Sequence, residues 1–338
     1  MKRIISLSVF CSFIITISAA QMRNDVIVSM DDGENLEATF YYPTQSLPAS
    51  GYPALLLVHG FGLSKDSLIL DTETFAANGY VAMCYSVRGH GNSSGGSTIM
   101  STRERLDLSQ MIKYLRSLPN VDTLAIGVTG GSQGGLHGLW TAVDSLPVKA
   151  VAADVIIPNW ASDMFMNGCY RRTLTLLLKT NTVQYHPMRD TLWNLLRIDD
   201  FASLKEKFIQ ERDVDSAQLH ASTIPMFRLI KWQDHYFTAA DGIESFLRHR
   251  AIKKLYIGTQ GHSSDRVTSE RVFQYTQVID WFYYFLQNQQ NGILDRPMIT
   301  YAYSSLPMDS DGYFSWTREG INSWPPPRNS TDKILFAS

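Results

Sequence analysis

Two rhythms of hydrophobic and polar positions run along this chain. From Pro53 onward, short continuous apolar runs at 54–58, 81–85, 124–129, 148–157, 226–230 and 254–257 are separated by stretches of helical length. Continuous apolar runs mark strands covered on both faces, and strands alternating with helices predict an α/β fold with a doubly wound, mostly parallel sheet. Helices fit at 67–78, which Gly79 ends, and at 102–117, 133–145, 241–250 and 269–287. Upstream, the runs 25–30 and 36–42 flank Asp31-Asp32-Gly33-Glu34, a turn signal that predicts an antiparallel hairpin at the start of the sheet.

Two stretches break the rhythm. Between 157 and 224 there is no strand pattern, only aromatic and amphipathic helical text, which is too long for a loop and predicts a helical cap at about 158–223. After Pro297 the text turns to strand-like pieces at 298–303 and 333–336, with Trp324-Pro325-Pro326-Pro327 between them. No internal repeat or low-complexity tract is present.

The run 124–129 leads into Gly130-Gly131-Ser132-Gln133-Gly134, a G-x-S-x-G sequence between a predicted strand and a predicted helix. A serine on such a turn sits in strained backbone, so the residues two before and two after it must be small. The turn lifts the hydroxyl to the sheet rim, and the helix N-terminus aims N–H groups at developing negative charge. A serine nucleophile needs a base, and the base an orienting acid, in the chain order Ser, Asp or Glu, His on this fold. Asp234 follows the strand 226–230 after a short loop, and His262 follows the strand 254–257, so both are expected on the rim with Ser132. His235, His137 and His249 are read as ordinary polar or buried residues. The oxyanion donors are expected to be the backbone N–H groups of Gln133 and of Phe61, the latter in His59-Gly60-Phe61-Gly62 after the strand 54–58. Arg88, in a second Gly-rich rim loop, reads as a clamp for neighbouring loops in preference to a substrate ligand.

Composition narrows the partners. Only 18% of residues are charged, against roughly 25% in soluble domains, and 30 basic residues face 32 acidic ones, so no basic patch offers itself to nucleic acid. No Cys/His spacing fits zinc, and neither a metal nor a cofactor is expected. At the N-terminus, Lys2 and Arg3 precede an apolar run at 4–17 and then Ser18-Ala19-Ala20, the form of a secretory signal peptide (1–20). Its removal changes the formal charge from −2 to −4, leaves no expected membrane span and predicts export to a periplasmic or extracellular location. Cys84 and Cys169 remain; a disulfide between them is open, and two separate thiols are favoured because Cys84 falls in a buried strand run.

Together these residues resemble the α/β-hydrolase superfamily. Trp232-Gln233-Asp234, Gly261-His262, Asp280-Trp281-Phe282, Asn291 through Pro297 and Ser323-Trp324-Pro325-Pro326-Pro327 narrow the resemblance to the Xaa-Pro dipeptidyl-peptidase and cocaine esterase family. That resemblance implies a hydrolase domain at 21–297, a helical cap, and a C-terminal jelly roll whose opening strands would be 298–338, an incomplete and truncated β segment. It places the family's triad on Ser132, Asp234 and His262. Two positions depart from the family's pattern: Gln133 stands where Tyr is usual, and Phe61 where a tyrosine hydroxyl serves the oxyanion. Arg88-Gly89-His90 with the Ser-Gln-Gly elbow is similar instead to acetyl xylan esterases and cephalosporin deacetylases.

The expectation is an exported serine hydrolase opening an acyl ester or amide of a small molecule or peptide. A carbohydrate O-acetyl esterase is the second reading, and an inactive hydrolase-fold binding protein the third. Trp160, Phe165, Trp232 and Tyr236 are the candidate substrate-binding aromatics. A peptidase would need a cap acid for the substrate's amino group, and Glu206, Glu211 and Asp213 are the candidates. Unpaired strand edges in an incomplete tail would favour low solubility or a homodimer.

Overall fold

The computed structural model describes residues 22–155, 158–159, 163–166, 169–262, 268–308 and 314–326. The expected signal peptide, Trp160 and the strand piece 333–336 lie outside them. Among the described residues no helix is long and apolar enough to cross a membrane.

A ten-stranded sheet organises the chain, in the order β1-β2-β4-β3-β5-β6-β9-β10-β11-β12. Its strands are β1 (Arg23–Ser29), β2 (Asn35–Tyr41), β3 (Tyr52–Val58), β4 (Val81–Tyr85), β5 (Val121–Gly131), β6 (Ala150–Asp154), β9 (Met226–Lys231), β10 (Lys253–Gly258), β11 (Ile299–Met308) and β12 (Phe314–Ile321). The strands from β4 to β11 in that order pair in parallel, while β1, β2 and β12 are antiparallel to their neighbours.

Burial on both faces explains the continuous apolar runs. Ala54, Leu56 and Val58 of β3 enter one core cluster, while Leu55 and Leu57 enter the other. In β4, Val81, Met83 and Tyr85 divide from Ala82 and Cys84 in the same way. This is the alternation that a pleated strand imposes. Helices α2 (Thr102–Ser117) and α3 (Gln133–Val143) cover the first face. Helix α1 (Ile69–Ala77) and the long helix Thr268–Gln287 cover the second. Helix α1 stops at Asn78, and Gly79 takes the left-handed φ of 89° that turns the chain into β4. Helix α2 begins on Ser101, whose N–H donates to the Glu104 carboxylate at 3.1 Å.

Between β6 and β9 the described residues form a two-stranded ribbon, β7 (Phe165–Met166) with β8 (Cys169–Tyr170), and four helices. These are α4 (Arg172–Lys179), α5 (Met188–Arg197), α6 (Phe201–Arg212) and α7 (Ser216–Ala221). Their apolar stripes turn inward through Leu174, Leu178, Leu192, Leu204 and Phe208. The fully buried Arg212 anchors α6 to the rim, its Nε donating to the Ile99 carbonyl at 2.7 Å and its Nη2 to that of Thr98 at 2.6 Å. Alongside, Ser97 bridges the cap backbone, receiving the His186 N–H at 2.9 Å and donating its own to the Gln184 carbonyl at 2.8 Å.

The described strands of the C-terminal β segment join the central sheet. β11 extends the central sheet, with Leu255 opposite Ile299 and Ile257 opposite Tyr301. Ile299 completes a core cluster with Ile230, Ile243 and Phe246, and this burial draws the strand onto β10. Cys84 is buried in β4, Cys169 is exposed, and both are free thiols.

Candidate active site

The turn between β5 and α3 carries Ser132 at φ 56°, ψ −115°, a left-handed backbone that a side chain rarely adopts. The surrounding glycines show why it persists. A Cβ on Gly130 would lie 2.3 Å from the Val58 carbonyl oxygen, and one on Gly134 only 1.9 Å from the same atom. Gly131, between Gly130 and the serine, would meet nothing closer than 3.8 Å. Crossing β3 at this distance therefore demands glycine two residues before and two after Ser132, and leaves the intervening position free. The Ser132 N–H donates to the Asp154 carbonyl at 3.0 Å, which fixes the turn to β6.

Three side chains converge at this rim. The Ser132 hydroxyl lies 3.0 Å from His262 Nε2, and His262 Nδ1 lies 2.7 Å from Asp234 Oδ2. The other oxygen of Asp234 accepts the N–H groups of Tyr236 at 2.7 Å and Phe237 at 3.2 Å, so the carboxylate cannot rotate away. The rings of Tyr236, Phe237 and His235 stand 4.5, 5.5 and 6.0 Å from the His262 ring and wall in the imidazole. Arg171 of the cap steadies this segment: it pairs with the buried Asp163 at 3.0 Å and donates to the His235 carbonyl at 3.3 Å. Such an arrangement can activate a hydroxyl and hold one imidazole tautomer.

The loop after β3 passes the serine, a Cβ on Gly60 standing 3.7 Å from Ser132 Cβ, and Phe61 follows it. Gln133 is the first residue of α3, so its N–H has no acceptor within the helix. Behind this loop lies a cluster of buried histidines. His59 accepts the Val87 N–H on Nε2 at 2.9 Å, so its proton resides on Nδ1, which donates to the Gly60 carbonyl at 2.8 Å. Burial, helped by the neighbouring His90, pushes His59 down to about 3. Burial likewise lowers His90 and His137 to about 4. These rings are neutral scaffold: His59 ties the β3 loop to the β4 loop, and His137 bonds the Gln133 carbonyl within α3.

The aromatic candidates divide. Tyr236 faces His262. Phe165 is buried against Phe208 inside the cap, and Trp232 donates its Nε1 to the Ala302 carbonyl at 2.7 Å and packs near Trp324. The partners of both rings lie away from the three converging side chains, because each completes a seam between elements. Trp160 lies outside the described residues. Of the cap acids, Glu206 is exposed beside Gln210, Glu211 pairs with Arg212 at 2.8 Å, and Asp213 is partly buried. Arg88 is buried as a clamp, its Nε 2.8 Å from Asp107 and its Nη1 2.9 Å from Asp32. Among the described residues no group of His, Cys, Asp or Glu is placed to hold a metal ion.

One residue escaped the sequence reading. Asp154, the last residue of β6, is half-buried, and its buried Oδ1 has no hydrogen-bond partner among the described residues. Burial raises its pKa, while Lys231 and His262 pull it back. The signal was an acid at the carboxyl end of an apolar parallel strand, where apolar text alone was expected.

Comparison with known proteins supplies the family and the fold. Residues 32–264, more than half of the chain, match the model of the X-Pro dipeptidyl-peptidase (S15) family. The quorum-quenching protein AidA of Acinetobacter baumannii is 30% identical over 134 residues, 38% of this chain and 43% of that protein. The thiohydrolase aneE of Aspergillus aculeatus is 29% identical over 123 residues, covering 36% of this chain and 37% of that protein. These matches span less than half the length of either relative. A CocE/NonD family hydrolase from Staphylococcus aureus shares the fold at a TM-score of 0.69 and 17% identity, over 91% of this chain and 57% of that one. An esterase from Pyrococcus furiosus does so at 0.57 and 16%, over 79% of this chain and 94% of that one. By its family model, and with an α/β-hydrolase sheet, the chain belongs to the X-Pro dipeptidyl-peptidase (S15) family.

Proposed function

We propose that this protein is an exported serine hydrolase that opens an acyl ester or amide through an acyl-enzyme on Ser132. The observation that carries the reading is the unbroken line from the Ser132 hydroxyl through His262 to Asp234, at 3.0 and 2.7 Å. Ser132 Oγ attacks the acyl carbonyl as its proton passes to His262 Nε2. Asp234 accepts the Nδ1–H and stabilises the imidazolium that forms. The Gln133 and Phe61 amides receive the oxyanion, and His262 returns the proton to the departing alkoxide or amine. Water then repeats the sequence against the acyl-enzyme and frees the acid. Family membership supports the reaction class, and the strained turn at Ser132 supports the nucleophile.

Within that class, Xaa-Pro amides are the leading substrates, by the family. Esters with short acyl groups, including acetylated carbohydrates, are the second reading. It is favoured by Phe61, which brings no hydroxyl to the oxyanion and packs at 5.1 Å on His90. The test is a panel of Xaa-Pro nitroanilides, short-chain nitrophenyl esters and acetylated sugars, assayed with wild-type protein and Ser132→Ala. Turnover of at least one substrate, lost in Ser132→Ala, is expected. Equal turnover by the variant would sink the reading, and the substrate turned over best decides between peptide and ester.

A further inference from the structure

The turn that carries Phe61 is loose by its own chemistry and is held from outside. The Leu63 N–H donates to the Gly60 carbonyl at 3.1 Å, and Gly62 takes a left-handed φ of 82°, the conformation that a turn of this kind requires at its third position. The turn's own bond engages the Leu63 N–H and not that of Phe61, the amide proposed to receive the oxyanion. With glycine on either side, that amide takes no fixed direction from the chain itself. An oxyanion donor is effective only when it is held in place before the charge forms, so its direction must come from its neighbours.

Those neighbours belong to two layers of the molecule. From the sheet, His59 Nδ1 donates to the Gly60 carbonyl at 2.8 Å, and the His90 ring packs 5.1 Å from that of Phe61. From the cap comes the segment 180–186, between α4 and α5. The Thr182 hydroxyl donates to the Gly62 carbonyl at 2.8 Å, and a Cβ on Gly62 would lie 3.3 Å from both Thr180 Cγ2 and Thr182 Oγ1. The Tyr185 ring stands 6.4 Å from Phe61. Its hydroxyl is fixed in turn, donating to the Leu177 carbonyl at 2.5 Å and accepting the Thr180 N–H at 3.1 Å. The Gln184 N–H, 2.8 Å from the Gly89 carbonyl, sets the register of the segment on the rim. Thr182 is exposed, so its bond adds little to stability, and what it supplies is direction. We propose that Thr182 and Tyr185 are positioning residues of the oxyanion turn, and that the docked cap segment completes the oxyanion site as well as covering it. Neither residue exchanges a proton in the cycle; both act through the direction of the Phe61 amide.

This inference rests on the serine hydrolase reading, and the test separates the two. Thr182→Val keeps the shape and removes the donor, Thr182→Ser restores the hydroxyl, and Tyr185→Leu removes the ring against Phe61. For these variants, wild type and Ser132→Ala, kcat and KM are measured on the best panel substrate, with Tm for each. Affinity is measured in parallel for a trifluoromethyl ketone that copies that substrate, which Ser132 would close into a charged tetrahedral adduct. Thr182→Val is expected to lower kcat about fivefold and Tyr185→Leu about tenfold, with KM held within about twofold. Affinity for the ketone should fall in step with kcat, Thr182→Ser should recover most of the lost rate, and Tm should be nearly level in both Thr182 variants. If Tyr185→Leu does not fold, the Thr182 pair carries the test alone. An unchanged kcat in Thr182→Val, a loss carried by KM, or a lost rate with full affinity for the ketone overturns the proposal. Activity that survives in Ser132→Ala overturns instead the reading beneath it.

Discussion

The elbow and the cap hold their places by opposite means. At the elbow, backbone packs on backbone: the Val58 carbonyl passes so close to Gly130 and Gly134 that no side chain fits at either position. In the cap, small amphipathic helices gather around leucines and are tied to the rim by single contacts, Arg212 on the Thr98 and Ile99 carbonyls and Ser97 on the 184–186 backbone. The first arrangement tolerates almost no change of volume, whereas the second depends on a few replaceable bonds. Ser132 is thus on a part of the molecule whose packing leaves little freedom, and the cap elements are on a part whose attachment can be weakened separately.

The sharpest way to break the comparison is Gly134→Ala. Its Cβ would meet the Val58 carbonyl at 1.9 Å, so β3 and α3 would have to separate. The expected cost is more than about 4 kcal/mol, read by chemical denaturation or as loss of soluble protein. Gly131→Ala is the control, because the space there is open, though the turn's backbone limits it to a small penalty. Arg212→Leu comes next. It leaves two buried carbonyls without a donor, for an expected loss of about 2 to 4 kcal/mol. Proteolysis within the cap should precede unfolding of the sheet in that variant, and simultaneous cleavage throughout would show that cap and sheet are not separable.

A third prediction concerns acid. His59, His90 and His137 lie at about 3, 4 and 4 in the fold, below the ordinary 6.5. The unfolded chain therefore binds more protons than the fold below pH 6.5. The stability they contribute is complete above that pH and is lost as pH falls from 6.5 toward 4 and 3. Tm measured against pH should be level above about 7 and slope downward below 6.5. His137→Leu should flatten the slope, and a Tm unchanged down to pH 4 would contradict the neutral assignment. The smallest effect is expected from Trp232→Phe, which removes one hydrogen bond to Ala302 and costs about 1 kcal/mol with little change in KM.

The same contrast explains which features could be read from the sequence. β4 and α2 occupy the residues that periodicity assigned to them, because one is a fully buried strand and the other has its cap written in Ser101 and Glu104. Of the strand expected at 148–157, Ala150–Asp154 is strand, Val148 bonds back to Leu146 and Val155 turns to φ 45°, while 156–157 lie outside the described residues. Apolar content alone does not mark those breaks. Ser132, Asp234 and His262 could be found because each follows a strand, and strand ends share a rim. Asp154 also ends a strand, but that its main chain would hold the Ser132 N–H is a tertiary fact that no local pattern reveals. Phe165 and Trp232 were legible as aromatics, yet which seam each ring fills is settled by distant partners, Phe208 and Ala302. The sheet's extension into β11 likewise depended on the burial of Ile299 against residues far upstream.

The central claim is that Ser132 becomes acylated. The most direct measurement is rapid acid quench of the protein with a nitrophenyl ester, followed by intact-mass and peptide analysis. The account predicts one acyl group per chain, carried on the peptide containing Ser132, absent from Ser132→Ala and accumulating in Asp234→Asn more slowly than in wild type. Steady turnover with no acyl group on that peptide, or an acyl group carried by another residue, would contradict it.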